Sequence, residues 1–338
     1  MRVAVIGCCH GELDKIYETC SKIKPAIDLV LITGDFQSIR DEYDLSCMAV
    51  PDKYKNMGVF HEYHSGKKVS PILTIFVGGN HEASNYLREL YFGGWVAKNI
   101  YFLGFSAVVN VGGLTIGGIS GIFNKSDYKK GYFETFPHDL RAAYHTREFE
   151  VIKLAKFNGK IDIFLSHDWP QGIEHCGDTN DLLRRKPYFK NDIENGNLGS
   201  PLNKYLCEHL KPKYWFSSHL HVKFNAVINH SDGNTTNFLA LDKVLPYRKF
   251  IHIVDYPSVG EMKLKINLEW INILRKTMKL MPLGNQNVEF SSLCNENELK
   301  ENEYDGDLNP IDFEEHPSIA KFCSKFDISF PLNSINIY

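Results

Sequence analysis

Five short, largely apolar runs stand out from the polar positions of the chain, and each predicts a strand buried on both faces. They cover residues 3–6, 27–32, 72–77, 161–166 and 214–216. After the first run, apolar side chains recur at helical spacing over residues 13–23, so strand, loop and helix are expected in that order. Helical periodicity returns in residues 148–156, 201–210 and 268–276.

The other segments have weaker patterns. Residues 101–119 alternate apolar and small side chains with five glycines, which is typical of short antiparallel strands. Residues 41–70 are polar and interrupted by proline and glycine, so we expect a loop-rich excursion there. Residues 284–316 are rich in Asn, Asp and Glu, and we expect a mobile acidic linker or tail without catalytic carboxylates. Two β-like segments cover residues 238–241 and 250–254.

Each of the five buried runs is followed by a side chain that can bind a metal. In chain order these are His10, Asp35, Asn80, His167 and the pair His219 and His221. A single Asp after a glycine is more often a turn residue than a ligand, and a single Asn-His pair is more often a turn followed by a helix cap. Because the same form recurs after every run, we expect these side chains to converge on one site at the carboxyl ends of the strands.

This set is too large for one tetrahedral zinc ion and suits two ions that share a bridging carboxylate. Mixed His, Asp and Asn ligands suit Mn²⁺, Fe²⁺ or Zn²⁺, and Asp35 is the natural bridge. Two such ions would activate a water as a metal-bound hydroxide, while His81 would be free to protonate a leaving oxygen. The predicted reaction class is phosphoester hydrolysis, and Cys8 stays open as a further ligand.

Composition limits the partners and the compartment. The 338-residue chain is 43% hydrophobic, enough for a large core, and its net charge of −3 gives no evidence for a polyanion partner, so any nucleic-acid site must be local. Eight cysteines lack framework spacing and Met1-Arg2 leads directly into a strand, so we expect reduced thiols and no secretory signal. No apolar run approaches the roughly 18 residues that a membrane span needs.

Two segments are local candidates for contacts with nucleic acid. Residues 123–149 hold seven aromatic residues, five Lys or Arg and four Asp or Glu, a mixture that suits stacking on unpaired bases. The alternative is that most of these rings pack beneath a long insertion. Residues 182–190 hold four cations and two aromatic rings, which indicates either a phosphate contact or a solvated turn. Arg40 is similarly a phosphate clamp or an ordinary surface cation.

The motif order His, Gly-Asp, Gly-Asn-His-Glu, His, His-x-His over residues 1–225 resembles the calcineurin-like metallophosphoesterase superfamily. The resemblance implies an α/β (α+β) fold, a four-layer αββα sandwich of two mixed sheets, with a smaller C-terminal domain over residues 226–338. Cys8 stands where that superfamily usually has Asp, and Ser218 where it usually has Gly. A Cys8 thiolate would favour softer Zn²⁺ or Fe²⁺, whereas a thiol that stands off would leave one metal weakly held, which we favour.

Several segments further resemble the family of RNA lariat debranching enzymes. They include residues 7–12, 34–40, 78–85, 166–170, 214–224 and 238–243. That resemblance implies hydrolysis of the 2′–5′ phosphodiester at the branch point of intron lariat RNA, in the nucleus and also the cytoplasm, with no obligate protein partner. The alternatives are a protein or small-molecule phosphatase and a non-catalytic scaffold that has lost its metals.

The resemblance also implies roles for individual residues. His10 and His221 would hold one metal, and Asn80, His167 and His219 the other, with Asp35 between them. His81 would protonate the 2′ oxygen, so that His81, Asp35 and Asn80 form the catalytic set. Residues 123–149 would be a lariat-recognition insertion. The expected RNA contacts are Arg40, Asn85, Tyr128, Lys129, Tyr132, Arg141, Tyr144, Trp169, Arg184 and Lys186.

Overall fold

The computed structural model describes residues 1–257, 260–289 and 303–330, which form two β-sheets with helices on both outer sides. The strands are β1 (Arg2–Ile6), β2 (Leu29–Ile32), β3 (Leu73–Phe76), β4 (Gly94–Ala97), β5 (Ile100–Phe102), β6 (Ser106–Val111), β7 (Leu114–Ile119), β8 (Ile163–Ser166), β9 (Tyr214–Ser217), β10 (Phe224–Asn229), β11 (Thr235–Ala240), β12 (Ile251–Asp255) and β13 (Lys265–Ile266). The α-helices are α1 (Leu13–Ser21), α2 (Glu42–Ser46), α3 (Phe60–His64), α4 (Ser84–Glu89), α5 (Leu140–Ala143), α6 (Glu148–Ala155), α7 (Thr179–Arg185), α8 (Lys190–Glu194), α9 (Pro201–Leu210), α10 (Leu268–Thr277) and α11 (Ile319–Phe326). Single 3-10 turns cover Asp52–Tyr54, Ile173–Cys176, Pro187–Phe189, Met278–Leu280 and Phe313–Glu315.

Both sheets are mixed. The first has six strands in the order β12-β1-β2-β3-β5-β4, and the second has seven in the order β10-β11-β9-β8-β7-β6-β13. Strands β1, β2 and β3 run parallel to one another, and so do β7, β8 and β9. The loops that follow β1, β2 and β3 therefore leave one edge of the first sheet together, and the loops after β8 and β9 leave the second sheet in the same way.

Alternation along the central strands explains why their sequences are continuously apolar. In β1, Val3 and Val5 belong to the core between the sheets, whereas Ala4 and Ile6 belong to a separate core with the outer helices. Leu13 and Ile16 of α1 pack in that second core. Because successive side chains of a strand point to opposite faces, a strand covered on both faces needs apolar residues throughout. The predicted four-layer sandwich is confirmed.

The five predicted strands and the predicted helices in residues 13–23, 148–156, 201–210 and 268–276 are confirmed. The antiparallel strands expected in residues 101–119 include the pair β6–β7. The excursion over residues 41–70 contains the short helices α2 and α3, which its broken periodicity does not indicate.

Residues beyond 225 complete both sheets instead of standing apart from them. Strand β12 pairs with β1, β13 pairs with β6, and β10 pairs with β11 at the edge of the second sheet. The predicted boundary at residue 225 therefore falls inside β10, which begins at Phe224. The division into a catalytic and a C-terminal domain stays a prediction.

The predicted acidic segment 284–316 lies partly outside the described residues, at positions 290–302. Its described part does not behave as a mobile tail. The backbone N–H of Ile266 donates to the carbonyl of Leu308, and Asp307 forms an ion pair with Lys325 of α11 at 3.0 Å. Helix α11 in turn buries Phe322 against Phe92, with the rings stacked at 4.7 Å. No helix among the described residues is long and apolar enough to cross a membrane.

Candidate metal centre

The loops after β1 and β2 lie side by side and continue the hydrogen bonding of the two strands. The backbone N–H of Cys9 donates to the backbone carbonyl of Gly34 at 3.2 Å, and the backbone N–H of His10 donates to the backbone carbonyl of Asp35 at 2.6 Å. This pairing carries the His10 and Asp35 side chains to the same place beyond the end of the sheet.

Four of the predicted ligands have a left-handed backbone. The φ angles are 49° at His10, 48° at Asp35, 53° at His219 and 49° at His221. Such a conformation costs a non-glycine residue on the order of 1–2 kcal/mol, so the surrounding structure must hold it in place. The sharp turns it produces bring both histidines of the His-x-His motif to one site.

Asp35 lies at the middle of the cluster, and its two carboxylate oxygens point to two groups of donors. Its Oδ2 is 3.6 Å from His10 Nε2, and its Oδ1 is 3.3 Å from His167 Nε2. On the first side, His10 Nε2 lies 3.3 Å from His221 Nε2, and ligand atoms of these three residues and Cys8 all lie within 4.8 Å of one another. The role of Asp35 as a bridge stays a prediction, and its two oxygens face the two groups that it would join.

The second group contains Asn80, His167 and His219. Asn80 Oδ1 lies 3.1 Å from His167 Nε2, and the His219 ring lies 4.9 Å from the His167 ring. His167 Nδ1 is 2.9 Å from the carbonyl oxygen of Thr33. If that nitrogen carries the proton, it donates to Thr33 and leaves the Nε2 lone pair directed into the site, the arrangement usual for a metal-binding histidine.

The charges of the cluster favour cation binding. Burial lowers the pKa of His167 to about 4 and that of His221 to about 3, so both rings are neutral near pH 7. Burial alone would raise the pKa of Asp35, but His167 and the other neighbouring histidines outweigh it and hold this pKa well below its usual range. Neutral imidazoles around an ionised carboxylate are the protonation states that divalent metals require.

Cys8 is fully buried with its sulfur in the first group of donors. Burial, followed by the charge of Asp35, raises the pKa of the Cys8 thiol well above its usual value. A thiolate at this position therefore needs a bound cation beside it. The Cys8 sulfur lies within 4.8 Å of the ligand atoms of His10, Asp35 and His221. Whether it binds the metal as a thiolate or stands off as a thiol stays a prediction.

Glycines make room for the central side chains. A Cβ on Gly34 would lie 2.2 Å from His167 Nδ1, and one on Gly79 would lie 2.2 Å from Asp35 Oδ1. Both distances are far below van der Waals contact, so the glycines of the Gly-Asp and Gly-Gly-Asn motifs are required for packing against the ligands.

Glu82 is a site residue to which the sequence interpretation gave no role. Its buried carboxyl oxygens accept hydrogen bonds from the backbone N–H groups of Phe36 at 2.7 Å, Gln37 at 2.8 Å and Gly79 at 2.9 Å. It thus fastens the Asp35 loop to the Asn80 loop. Burial, followed by the charge of Asp35, raises the pKa of Glu82 to about 8. The sequence feature that could have indicated this role is the Glu at the end of the Gly-Asn-His-Glu motif.

His81 lies at the opening of the centre. Its backbone N–H donates to Asp35 Oδ1 at 2.9 Å, and its ring Nδ1 is 3.8 Å from Asp35 Oδ2. The side chain is 35% exposed, whereas that of Asp35 is 2% exposed. His81 is therefore anchored through its backbone, and its ring remains accessible to a bound molecule.

Comparison with known proteins agrees with this geometry. The family model for calcineurin-like phosphoesterases matches residues 1–223, and that for the C-terminal domain of lariat debranching enzymes matches residues 233–331. The lariat debranching enzyme of Arabidopsis thaliana is 48% identical over 301 residues, which is 86% of this chain and 72% of the relative. The chain belongs to the lariat debranching enzyme family.

Two animal relatives extend the comparison. The human lariat debranching enzyme is 53% identical over 297 residues, which is 83% of this chain and 54% of the relative. That of Drosophila melanogaster is 44% identical over 329 residues, with 83% of this chain and 62% of the relative covered. The chain thus spans about half the length of the human member of its family.

Three of the expected RNA contacts, Trp169, Tyr132 and Asn85, are buried in this structure. Trp169 is fully buried, stacks on Phe224 and donates from Nε1 to the carbonyl of Ser218 at 2.8 Å. Tyr132 is 5% exposed and donates from its hydroxyl to Glu150 at 2.7 Å. These two rings are part of the core and position the surrounding loops.

Asn85 and the expected contact Arg40 both have polar groups that are bonded within the protein. The Arg40 guanidinium forms ion pairs with Asp44 at 2.7 Å and with Glu89 at 3.0 Å, and it lies over the ring of Tyr86. Asn85 is 7% exposed and donates from Nδ2 to Asp44 at 2.6 Å. Both side chains hold α2 against α4. The Arg40 side chain is still 23% exposed, so its contact with RNA stays a prediction.

The remaining predicted contacts stay predictions. In the insertion, Arg141 is exposed, Tyr128 and Tyr144 are half-buried, and Lys129 forms an ion pair with Glu289 at 3.1 Å. In residues 182–190, Arg184 forms an ion pair with Asp181, and the Lys186 ammonium lies 5.7 Å from the Tyr188 ring centroid.

Proposed function

We propose that this chain is a metal-dependent phosphodiesterase that hydrolyses the 2′–5′ bond at the branch point of lariat RNA. The observation that carries the proposal is the pair of donor groups on the two sides of Asp35, in a chain whose relatives are named lariat debranching enzymes. Branched RNA is then the substrate.

The donor set fits two divalent ions. His10 and His221, with Cys8 beside them, would hold one ion, and Asn80, His167 and His219 would hold the other, with Asp35 shared. Fe²⁺, Zn²⁺ and Mn²⁺ all suit these donors. When bound, such ions activate water and neutralise charge on the phosphoryl oxygens.

The residues of the chain supply the other requirements. Glu82 holds the Asp35 and Asn80 loops together, so the donors are placed before substrate arrives. His81 would hold a proton on its exposed ring and deliver it to the 2′ oxygen as that oxygen leaves. Its backbone bond to Asp35 fixes the distance between proton donor and metal centre.

The test uses purified protein that has been stripped of metal and reloaded with Mn²⁺, Fe²⁺ or Zn²⁺. We expect release of the 2′ arm from a synthetic branched RNA, no cleavage of a linear 3′–5′ RNA and loss of the reaction in EDTA. Rapid turnover of p-nitrophenyl phosphate with an intact branch would instead show a general phosphatase. Inertness on both substrates after reloading would show a scaffold without catalysis.

A nuclear location follows from the proposed substrate, because lariats form where introns are removed. A fluorescent fusion imaged together with a DNA stain tests it, and a signal excluded from the nucleus would contradict it.

A further inference from the structure

A cleft of about 720 Å³ opens beside the metal centre on the side of His10, His81 and His221. Its outer walls come from two segments that carry none of the predicted ligands. One is residues 50–59 and the other is residues 243–245, which together are called the cleft rim below. Residues 238–243 carry part of the family resemblance, but the sequence interpretation assigned no role to Lys243 or to residues 50–59.

The rim is attached directly to the loop that carries His10. The backbone N–H of Val244 donates to the carbonyl of Cys8 at 3.0 Å. On the other side, a Cβ added to Gly58 would come within 3.5 Å of the Cα of Gly11, so these two backbone segments lie close together. The rim is thus held in a defined position relative to the metal ligands.

Lys243 is a half-buried cation in this cleft. Within the described residues, its ammonium makes no hydrogen bond or ion pair, and it lines the same cleft as His10 and His221. Nearby cations are different, because Lys55 pairs with Asp52 at 3.1 Å and Arg248 pairs with Asp242 at 3.3 Å.

The acidic residues that line the cleft do not neutralise Lys243. Asp14 forms an ion pair with Lys68 at 2.6 Å and accepts the hydroxyl of Tyr63 at 2.8 Å. Glu12 is exposed and forms no ion pair with Lys243 in the described part of the chain. An unpaired cation beside a metal centre attracts an anionic group of the bound molecule.

The cleft also offers a surface for a base. Tyr54 lines it with 65% of its surface exposed, and Val50 and Leu245 provide apolar contacts on either side. A cation and an exposed aromatic ring in one cleft are the combination with which proteins bind single-stranded nucleic acid.

We propose that the cleft rim is the seat of the branch nucleotide, with Lys243 bound to one of its 3′–5′ phosphates and Tyr54 stacked on a base. The inference rests on the proposed function, since His81, which lines the same cleft, must lie next to the 2′ oxygen that leaves. The nucleoside attached to that oxygen then occupies the space on the His81 side. Lys243 is a binding residue in this account and not a metal ligand.

The test measures RNA affinity in a His81→Ala background, which keeps the branched substrate intact during the measurement. Fluorescence anisotropy with a branched RNA and with a linear RNA of equal length gives the Kd of each at several salt concentrations. The variants are Lys243→Gln, Lys243→Arg and Tyr54→Ala, with Lys249→Gln as the matched control. Lys249 is an exposed lysine near Lys243 that does not line the cleft.

For Lys243→Gln we expect about tenfold weaker binding of branched RNA and a salt-dependence slope smaller by about 0.7, the values for one lost phosphate contact. Lys243→Arg should retain most of the affinity, and Tyr54→Ala should lose about tenfold. Lys249→Gln should bind as the parent does. Equal thermal midpoints and metal content exclude misfolding as the cause.

Two results would overturn the inference while leaving the proposed function intact. In the first, the wild-type protein cleaves branched RNA, but Lys243→Gln and Tyr54→Ala in the His81→Ala background leave the Kd and the salt slope unchanged. The other is an equal loss for branched and linear RNA, which would show a general backbone contact. Failure of wild-type protein to cleave branched RNA would instead count against the proposed function itself.

Discussion

Two borders of the metal centre use similar side chains for opposite purposes. In the insertion (residues 123–149), Glu134 is buried between Arg88 and Arg147, and the Tyr132 hydroxyl is bonded to Glu150. In the cleft rim, Lys243 has no carboxylate partner among the described residues and Tyr54 is exposed. A segment rich in aromatic and basic residues therefore indicates a ligand surface only where its charges are not already paired within the protein.

The largest effect should come from removing the carboxylate that holds the insertion. Glu134→Ala leaves the buried Arg88 and Arg147 guanidinium groups without their shared partner, and breaking a buried ion pair in this way costs about 3–5 kcal/mol. Thermal and denaturant unfolding of the metal-free protein would measure it. Asp52→Ala, which removes an exposed partner of Lys55 on the rim, should change stability by less than about 0.5 kcal/mol. Similar losses of stability in Glu134→Ala and Asp52→Ala would contradict the difference between the insertion and the cleft rim.

A smaller loss of stability is expected from Tyr132→Phe. It removes a 2.7 Å hydrogen bond to the buried Glu150 carboxylate, worth about 1.5–3 kcal/mol, and should leave the Kd for branched RNA unchanged. Tyr54→Phe on the rim should change neither quantity, since the exposed ring is retained. A weaker RNA complex with unaltered stability in Tyr132→Phe would restore the original prediction of an RNA contact.

The smallest effect is expected for the exposed cation of the insertion. Arg141→Gln should weaken binding of branched RNA by about threefold or less, because a solvated charge gains little from pairing. The same anisotropy series that includes Lys243→Gln gives the comparison. If Arg141→Gln cost more affinity than Lys243→Gln, the insertion and not the rim would be the main electrostatic contact.

The clustering of the candidate metal ligands could be predicted because each residue belongs to a local pattern. A buried run, a glycine and a metal-binding side chain recur after β1, β2 and β3, and the parallel order of these strands brings the loops together. The same local patterns could not indicate that His10, Asp35, His219 and His221 need a left-handed backbone, which follows only from the contacts between loops.

Burial in the insertion could not be predicted from its own residues. The partners that pair with its charges come from elsewhere, such as Arg88 in α4 and Glu150 in α6. The rim was not predicted as a surface for a corresponding reason, since its two segments lie far apart in the chain and both lie against the loop that contains Cys8 and Gly11.

In the proposed mechanism, the groups that bind metal are separate from the His81 ring that delivers the proton. Single-turnover cleavage of branched RNA by His81→Ala, with metal content measured on the same sample, tests it directly. Because alanine keeps the backbone N–H that bonds to Asp35, we predict full metal content and a rate lower by about 100- to 10,000-fold. Loss of metal in proportion to the rate, or a rate equal to that of the wild type, would contradict the assignment of His81 as the acid.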